Sequence, residues 1–141
     1  MLMKIKKIVS LLIVVLAAVP LLTACGASQG PPNVTLDSYS IQMPATIKAG
    51  QVTFHVTNAN ASDTHSFIIF KTDLAPGNLP LDSSNNIDET AQGLTRIDGI
   101  AELNPGETKD LTVTLQPGSY VAACDLPGHY QAGMFIGFTV Q

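Results

Sequence analysis

Charge is scarce in this 141-residue chain, and positive charge scarcer: 13% of the residues are charged, with seven Lys and Arg against eleven Asp and Glu. Lys4, Lys6 and Lys7 cluster at the N-terminus, whereas every acidic residue lies from Asp37 onward. Beyond residue 24 four basic residues face eleven acidic ones, a formal charge of −7. Nothing there supplies a basic face for a phosphate backbone, which excludes nucleic acid as a main partner. The apolar stretch over residues 8–22, interrupted by Ser10 and Pro20, falls short of the about 20 residues that a membrane-spanning helix needs. Sustained helical periodicity and internal repeats are also missing. The length suits one domain, large enough to bury a core without disulfide staples.

What is present begins with an address. A basic head over residues 1–7, a short apolar run and small residues before Cys25 make the pattern of an export signal. A buried hydrophobic helix would need a polar face or caps, and the segment has neither. Leu22-Thr23-Ala24-Cys25 resembles the lipobox of bacterial lipoproteins. That resemblance implies a signal peptide over residues 1–24, lipidation of Cys25, and an extracytoplasmic protein anchored to a bacterial membrane on its periplasmic or cell-surface face. Two or more acyl chains hold a protein stably, each buried methylene contributing about 0.8 kcal/mol. The alternative is an ordinary signal peptide that ends near a cysteine. Residues 25–33, rich in Gly, Ser, Gln and Pro, read as a tether. With Cys25 lipidated, Cys124 is left as a single thiol in an oxidising compartment, a liability unless something occupies it.

Residues 34–141 read as all-β. Short alternating or β-branched segments at 34–41, 51–57, 65–70, 111–115, 119–124 and 134–140 are separated by turn residues. Asn104-Pro105-Gly106-Glu107 and Gln116-Pro117-Gly118-Ser119 carry type II turn chemistry, with Pro presetting one φ and Gly accepting a positive one. Several short strands so punctuated predict a sandwich or barrel. Residues 71–110 read as a long polar excursion, with one short helix near 88–92.

The chemistry concentrates in Cys124-Asp125-Leu126-Pro127-Gly128-His129-Tyr130-Gln131-Ala132-Gly133-Met134. Taken singly, the cysteine reads as a small core residue, the methionine as packing and the histidine as solvated. Together, a thiolate, an imidazole and a thioether at Cys-x4-His-x4-Met spacing select copper over hard cations. The Pro127-Gly128 turn lets His129 face back between the ends of two strands. Two His, one Cys and a weak axial Met form the blue-copper donor set, so one more histidine is required. Of the three histidines, His55 points outward with Thr53 and Thr57, opposite Phe54 and Val56. His65 shares parity with Phe67 and Ile69, on the inner face, and is the better ligand.

Asn58, His65-Ser66-Phe67, Pro117-Gly118-Ser119-Tyr120 leading into Cys124, and the loop bearing His129 and Met134 resemble the cupredoxin family. The Cys-x4-His-x4-Met spacing with Pro-Gly before the histidine is closest to the rusticyanin and sulfocyanin branch. The resemblance covers roughly residues 34–141. It implies a cupredoxin-like Greek-key β-sandwich holding one type 1 copper ion through His65, Cys124, His129 and Met134. Tyr120 would then be the tyrosine that such proteins place four residues before the ligand cysteine. Two positions depart from the plastocyanin-like pattern. Ser66 stands where asparagine is common, so the hydrogen bond that ties the two ligand loops there is not implied. Ala123 precedes the ligand cysteine, so no tyrosine-mediated electron exit is implied. The exit expected here is the exposed edge of His129, bordered by Leu126, Pro127, Tyr130 and Ala132.

The leading functional reading is a membrane-tethered carrier of single electrons between redox partner proteins, cycling between Cu(II) and Cu(I). The same ligands suit an extracytoplasmic protein that stores, delivers or senses copper, and an interaction domain without metal is a third reading. Enzymatic readings fare poorly. Multicopper oxidases and copper nitrite reductases need more histidines, and a binuclear copper centre needs two cysteines in the loop, where this loop has one. A Cys124–His129 nucleophile conflicts with a buried, metal-bound thiol.

Overall fold

The computed structural model describes residues 30–141. The export signal at 1–24, the lipidation expected at Cys25 and residues 25–29 of the tether lie outside the described residues. Among the described residues nine strands form: β1 (Asn33–Asp37), β2 (Ser40–Gln42), β3 (Thr46–Ile47), β4 (Gly50–Asn58), β5 (His65–Lys71), β6 (Thr95–Leu103), β7 (Thr108–Leu115), β8 (Gly118–Ala123) and β9 (Phe135–Val140). They build one sheet in the order β2-β1-β4-β7 and a second in the order β3-β9-β8-β5-β6. β1 runs parallel to β4 and β3 parallel to β9, while the other neighbours are antiparallel.

Alternation decides which side chains fill the space between the sheets. Leu36, Phe54, Val56 and Leu115 of the first sheet meet Phe67, Ile69, Phe138 and Val140 of the second in one buried cluster. Burying each such side chain contributes about 1.5–3 kcal/mol. The outer face of the first sheet stays wet, as alternation in β4 and β7 predicts. There Thr53 meets Thr112 at 2.8 Å, and His55 Nδ1 lies 2.6 Å from Asp110 Oδ1. His55 is thus the surface residue its parity implied.

Several elements differ from the sequence reading. Residues 34–41 are not one strand but a hairpin, β1 and β2, turning at Ser38-Tyr39 with Tyr39 at φ 61. A straight strand would put Ile41 on the opposite face from Val34 and Leu36; the turn brings all three into the core. Asn33, assigned to the tether, already opens β1, and the Pro32 carbonyl accepts the His55 N–H at 3.0 Å.

The 71–110 excursion is largely structured. Its only helical piece among the described residues is a 3-10 turn at Pro76–Asn78, whereas 88–92 forms non-helical turns. Its C-terminal part contains β6, an edge strand that pairs with β5. β6 is exposed or half-exposed at every position before Leu103, so it carries no apolar alternation to announce it. The first part covers the outer face of the second sheet, where Leu79, Ile87 and Leu94 pack on Ile68 and Phe70. β5 is consequently buried on both faces from His65 to Phe70, which is why Phe67 through Phe70 form a continuous apolar run.

Of the two expected type II turns, Asn104–Glu107 forms, with Gly106 at φ 74 and the Glu107 N–H on the Asn104 carbonyl at 2.9 Å. At the other, Gly118 takes φ 147 and belongs to β8; the Gln116 carbonyl accepts the Tyr120 hydroxyl at 2.8 Å.

Candidate metal centre

Strand register gathers the chemistry at one end of the sandwich. β5 starts at His65, next to it β8 ends at Ala123, and β9 starts opposite at Phe135. The approach to His65 is fastened by fully buried Asn58, whose Nδ2 donates to the carbonyls of Asp63 (2.8 Å) and Leu103 (2.9 Å). Asn58 Oδ1 accepts the Asn60 N–H at 3.0 Å. One side chain thereby holds the turn that delivers His65 against the end of β6.

The loop from Cys124 to Met134 folds as its turn residues dictate. The His129 N–H meets the Leu126 carbonyl at 3.0 Å across Pro127-Gly128, with Gly128 at φ 83: Pro and Gly occupy the two central positions of a type II turn. A helical turn follows, Ala132 N–H to Gly128 carbonyl at 3.0 Å. The loop then closes on itself, with the Met134 N–H on the His129 carbonyl (3.1 Å) and the Cys124 N–H on the Met134 carbonyl (3.0 Å). The backbone thus connects all three loop residues singled out from the sequence.

His65, Cys124 and His129 offer ligand atoms that lie within 4.8 Å of one another. His65 Nδ1 is 3.2 Å from His129 Nδ1, and Cys124 Sγ is 3.3 Å from the same His129 nitrogen. Donors bound to one ion at about 2.0–2.3 Å stand about 3.2–3.8 Å apart, so these separations suit a common metal. His65, Cys124 and Met134 are fully buried, and Met134 shares the core cluster with Cys124. Burial foremost, then the neighbouring His129, holds His65 below its ordinary pKa of 6.5, against the opposing pull of Asp63 and Asp37. A neutral imidazole keeps its lone pair for a cation. The buried His65 Nε2 has no hydrogen-bond partner among the described residues. Two imidazoles, a thiol and a thioether with no carboxylate among them fit copper rather than a hard cation.

Two neighbours complete the surroundings. Ser66, the departure noted in the sequence, does tie the ligand loops: its N–H points at Cys124 Sγ (3.3 Å), and its hydroxyl oxygen accepts the Asp125 N–H (2.9 Å). Tyr39, hidden in the sequence by the unrecognised hairpin, sets its ring edge-on to His129, centroids 5.0 Å apart, and 6.4 Å from His65. It is 44% exposed.

The expected border of the His129 edge is corrected at one position. His129 and Leu126 are half-buried and Pro127 and Ala132 exposed, but Tyr130 is buried at 6% exposure. Its hydroxyl donates to the Pro76 carbonyl and accepts the Leu79 N–H, both at 2.8 Å. Tyr130 therefore pins the ligand loop to the covering segment, and Tyr39 takes its place at the surface.

The family model for the Sulfocyanin (SoxE) domain matches residues 3–141. Among solved structures, reduced auracyanin from Roseiflexus castenholzii aligns with a TM-score of 0.56 at 22% identity, over 77% of this chain and 94% of that one. Rusticyanin from Thiobacillus ferrooxidans aligns with 0.57 at 21% identity, over 77% and 76% of the two chains. Auracyanin A from Chloroflexus aurantiacus, described as a "blue" copper protein, gives 0.51 at 24%, over 77% and 99%. These likenesses show the fold. No curated protein matches significantly.

Proposed function

The chain belongs to the sulfocyanin family of cupredoxins, whose cofactor is one type 1 copper ion, and from that premise we propose that it carries single electrons between redox partner proteins. The observation that carries this reading is the convergence of three ligand atoms within 4.8 Å at a buried site with one ligand edge reaching the surface. His65, Cys124, His129 and Met134 would hold the copper. The bound ion supplies a one-electron Cu(II)/Cu(I) couple. The protein's part is to keep the donors still while the charge changes: Asn58 fixes the approach to His65, Ser66 links the two ligand loops, and Tyr130 anchors the Cys124–Met134 loop to the covering segment. Fully buried Cys124 and Met134 keep water from the sulfurs. Electrons enter and leave through the His129 edge, among Leu126, Pro127, Ala132 and Tyr39.

The protein acts outside the cytoplasm, tethered by lipid on Cys25 to a bacterial membrane, with the Gly-, Ser- and Gln-rich residues that follow Cys25 as the leash. The basic head, apolar run and lipobox-like Leu22-Thr23-Ala24-Cys25 support this. No helix among the described residues is long and apolar enough to cross a membrane.

Voltammetry of the copper-loaded protein, repeated with excess copper chelator, separates carriage of electrons from handling of copper. A reversible one-electron wave that survives the chelator is expected. Ready loss of copper to the chelator would overturn the carrier reading in favour of storage, delivery or sensing.

A further inference from the structure

Ser66 Oγ has three polar neighbours and one hydrogen to give. Asp125 Oδ1 lies at 2.5 Å, the Asp125 nitrogen at 2.9 Å and Cys124 Sγ at 3.4 Å. The backbone N–H of Asp125 is a donor, so the hydroxyl oxygen accepts there. The hydroxyl hydrogen must then choose between a carboxylate and a sulfur. A charge-assisted O–H···O⁻ bond at 2.5–2.7 Å is roughly twice as strong as a neutral one, and sulfur is a weak acceptor. The hydrogen goes to Asp125. Fully buried Ser66 therefore turns oxygen lone pairs, not its hydrogen, toward the ligand sulfur, which receives the Ser66 backbone N–H alone from this residue.

We infer that Asp125 is a positioning residue that sets the reduction potential by holding the Ser66 hydroxyl off the Cys124 sulfur. Hydrogen bonds to a ligand sulfur tune the potential of a blue-copper centre. A donor withdraws electron density from the thiolate and favours Cu(I); a lone pair does the reverse. With Asp125 present the hydroxyl favours Cu(II). With its acceptor removed, the hydroxyl can turn to the sulfur only 3.4 Å away and favour Cu(I). The carboxylate also contributes its charge, so the two effects must be separated. The inference rests on the copper reading above.

The test is the reduction potential and the sulfur-to-copper absorption of the copper-loaded full chain. These are measured for the unsubstituted protein, Asp125→Ala, Ser66→Ala and the double variant, a cycle that isolates the coupling between the two residues. Asp125→Ala should shift the Cu(II)/Cu(I) equilibrium at least tenfold toward Cu(I), about 59 mV for one electron, and move the absorption band. In the Ser66→Ala background the same substitution should shift it severalfold less, because only the charge is lost. Asp125→Asn, which retains an acceptor for the hydroxyl, should match that smaller shift. An Asp125→Ala shift of equal size with and without the Ser66 hydroxyl would overturn the proposal. Absence of the absorption band in the unsubstituted protein would instead overturn the copper reading itself.

Discussion

At the scale of single residues, the site combines one group whose protonation is biased and one whose backbone is strained. His65 is held below its ordinary pKa of 6.5 chiefly by burial, so the unfolded chain binds a proton there more readily than the folded one. Its contribution to stability is intact above about pH 6.5 and is lost as the pH falls from there toward the lowered folded value. Melts of the metal-free protein between about pH 8 and pH 5 should show a falling Tm below about pH 6.5, flattened in His65→Gln. Tyr39, a non-glycine residue at φ 61, bears a left-handed conformation that costs about 1–2 kcal/mol. Tyr39→Gly should therefore leave the metal-free fold as stable or raise its stability by up to about 1 kcal/mol, while a chelator strips copper faster from the uncovered His129 edge. Denaturant unfolding and chelator kinetics check the two halves. The ligands were legible because His, Cys and Met are few and their spacing is informative. Tyr39 was not: its approach to His129 depends on a hairpin whose turn residues, Ser38-Tyr39, contain no Gly, Pro or Asn.

At the scale of elements, what was legible followed burial on one face. β4 and β7 alternate because one side is wet, and β5 reads as apolar because both its sides are covered. β6 escaped because an exposed edge strand is held by pairing rather than by its side chains, and β3 because two residues carry no period. The cover over residues 71–94 escaped for a related reason. Its apolar residues, Leu79, Ile87 and Leu94, are too widely spaced for one element, yet they meet on Ile68 and Phe70. Tyr130 joins that cover to the ligand loop. Tyr130→Phe leaves the buried Leu79 N–H without its acceptor and should cost about 1–3 kcal/mol. A lowered denaturant midpoint with an unchanged slope is the expected result.

At the scale of the whole molecule, the acidic body predicts salt-sensitive encounters with charged partners. Beyond residue 24 the formal charge is −7, and Asp37 and Asp63 lie close enough to the copper end to act on His65. Electron transfer to a small cationic oxidant should slow as salt rises, and transfer to an anionic one should quicken; stopped-flow rates at several ionic strengths test both signs. The central claim, that the cluster at that end is a type 1 copper site, is tested most directly by adding one equivalent of Cu(II) and recording visible and electron paramagnetic resonance spectra together. The account predicts an intense thiolate-to-copper band that is lost in Cys124→Ser and returns after a reduction–oxidation cycle. A colourless sample with only an ordinary tetragonal Cu(II) signal would contradict it.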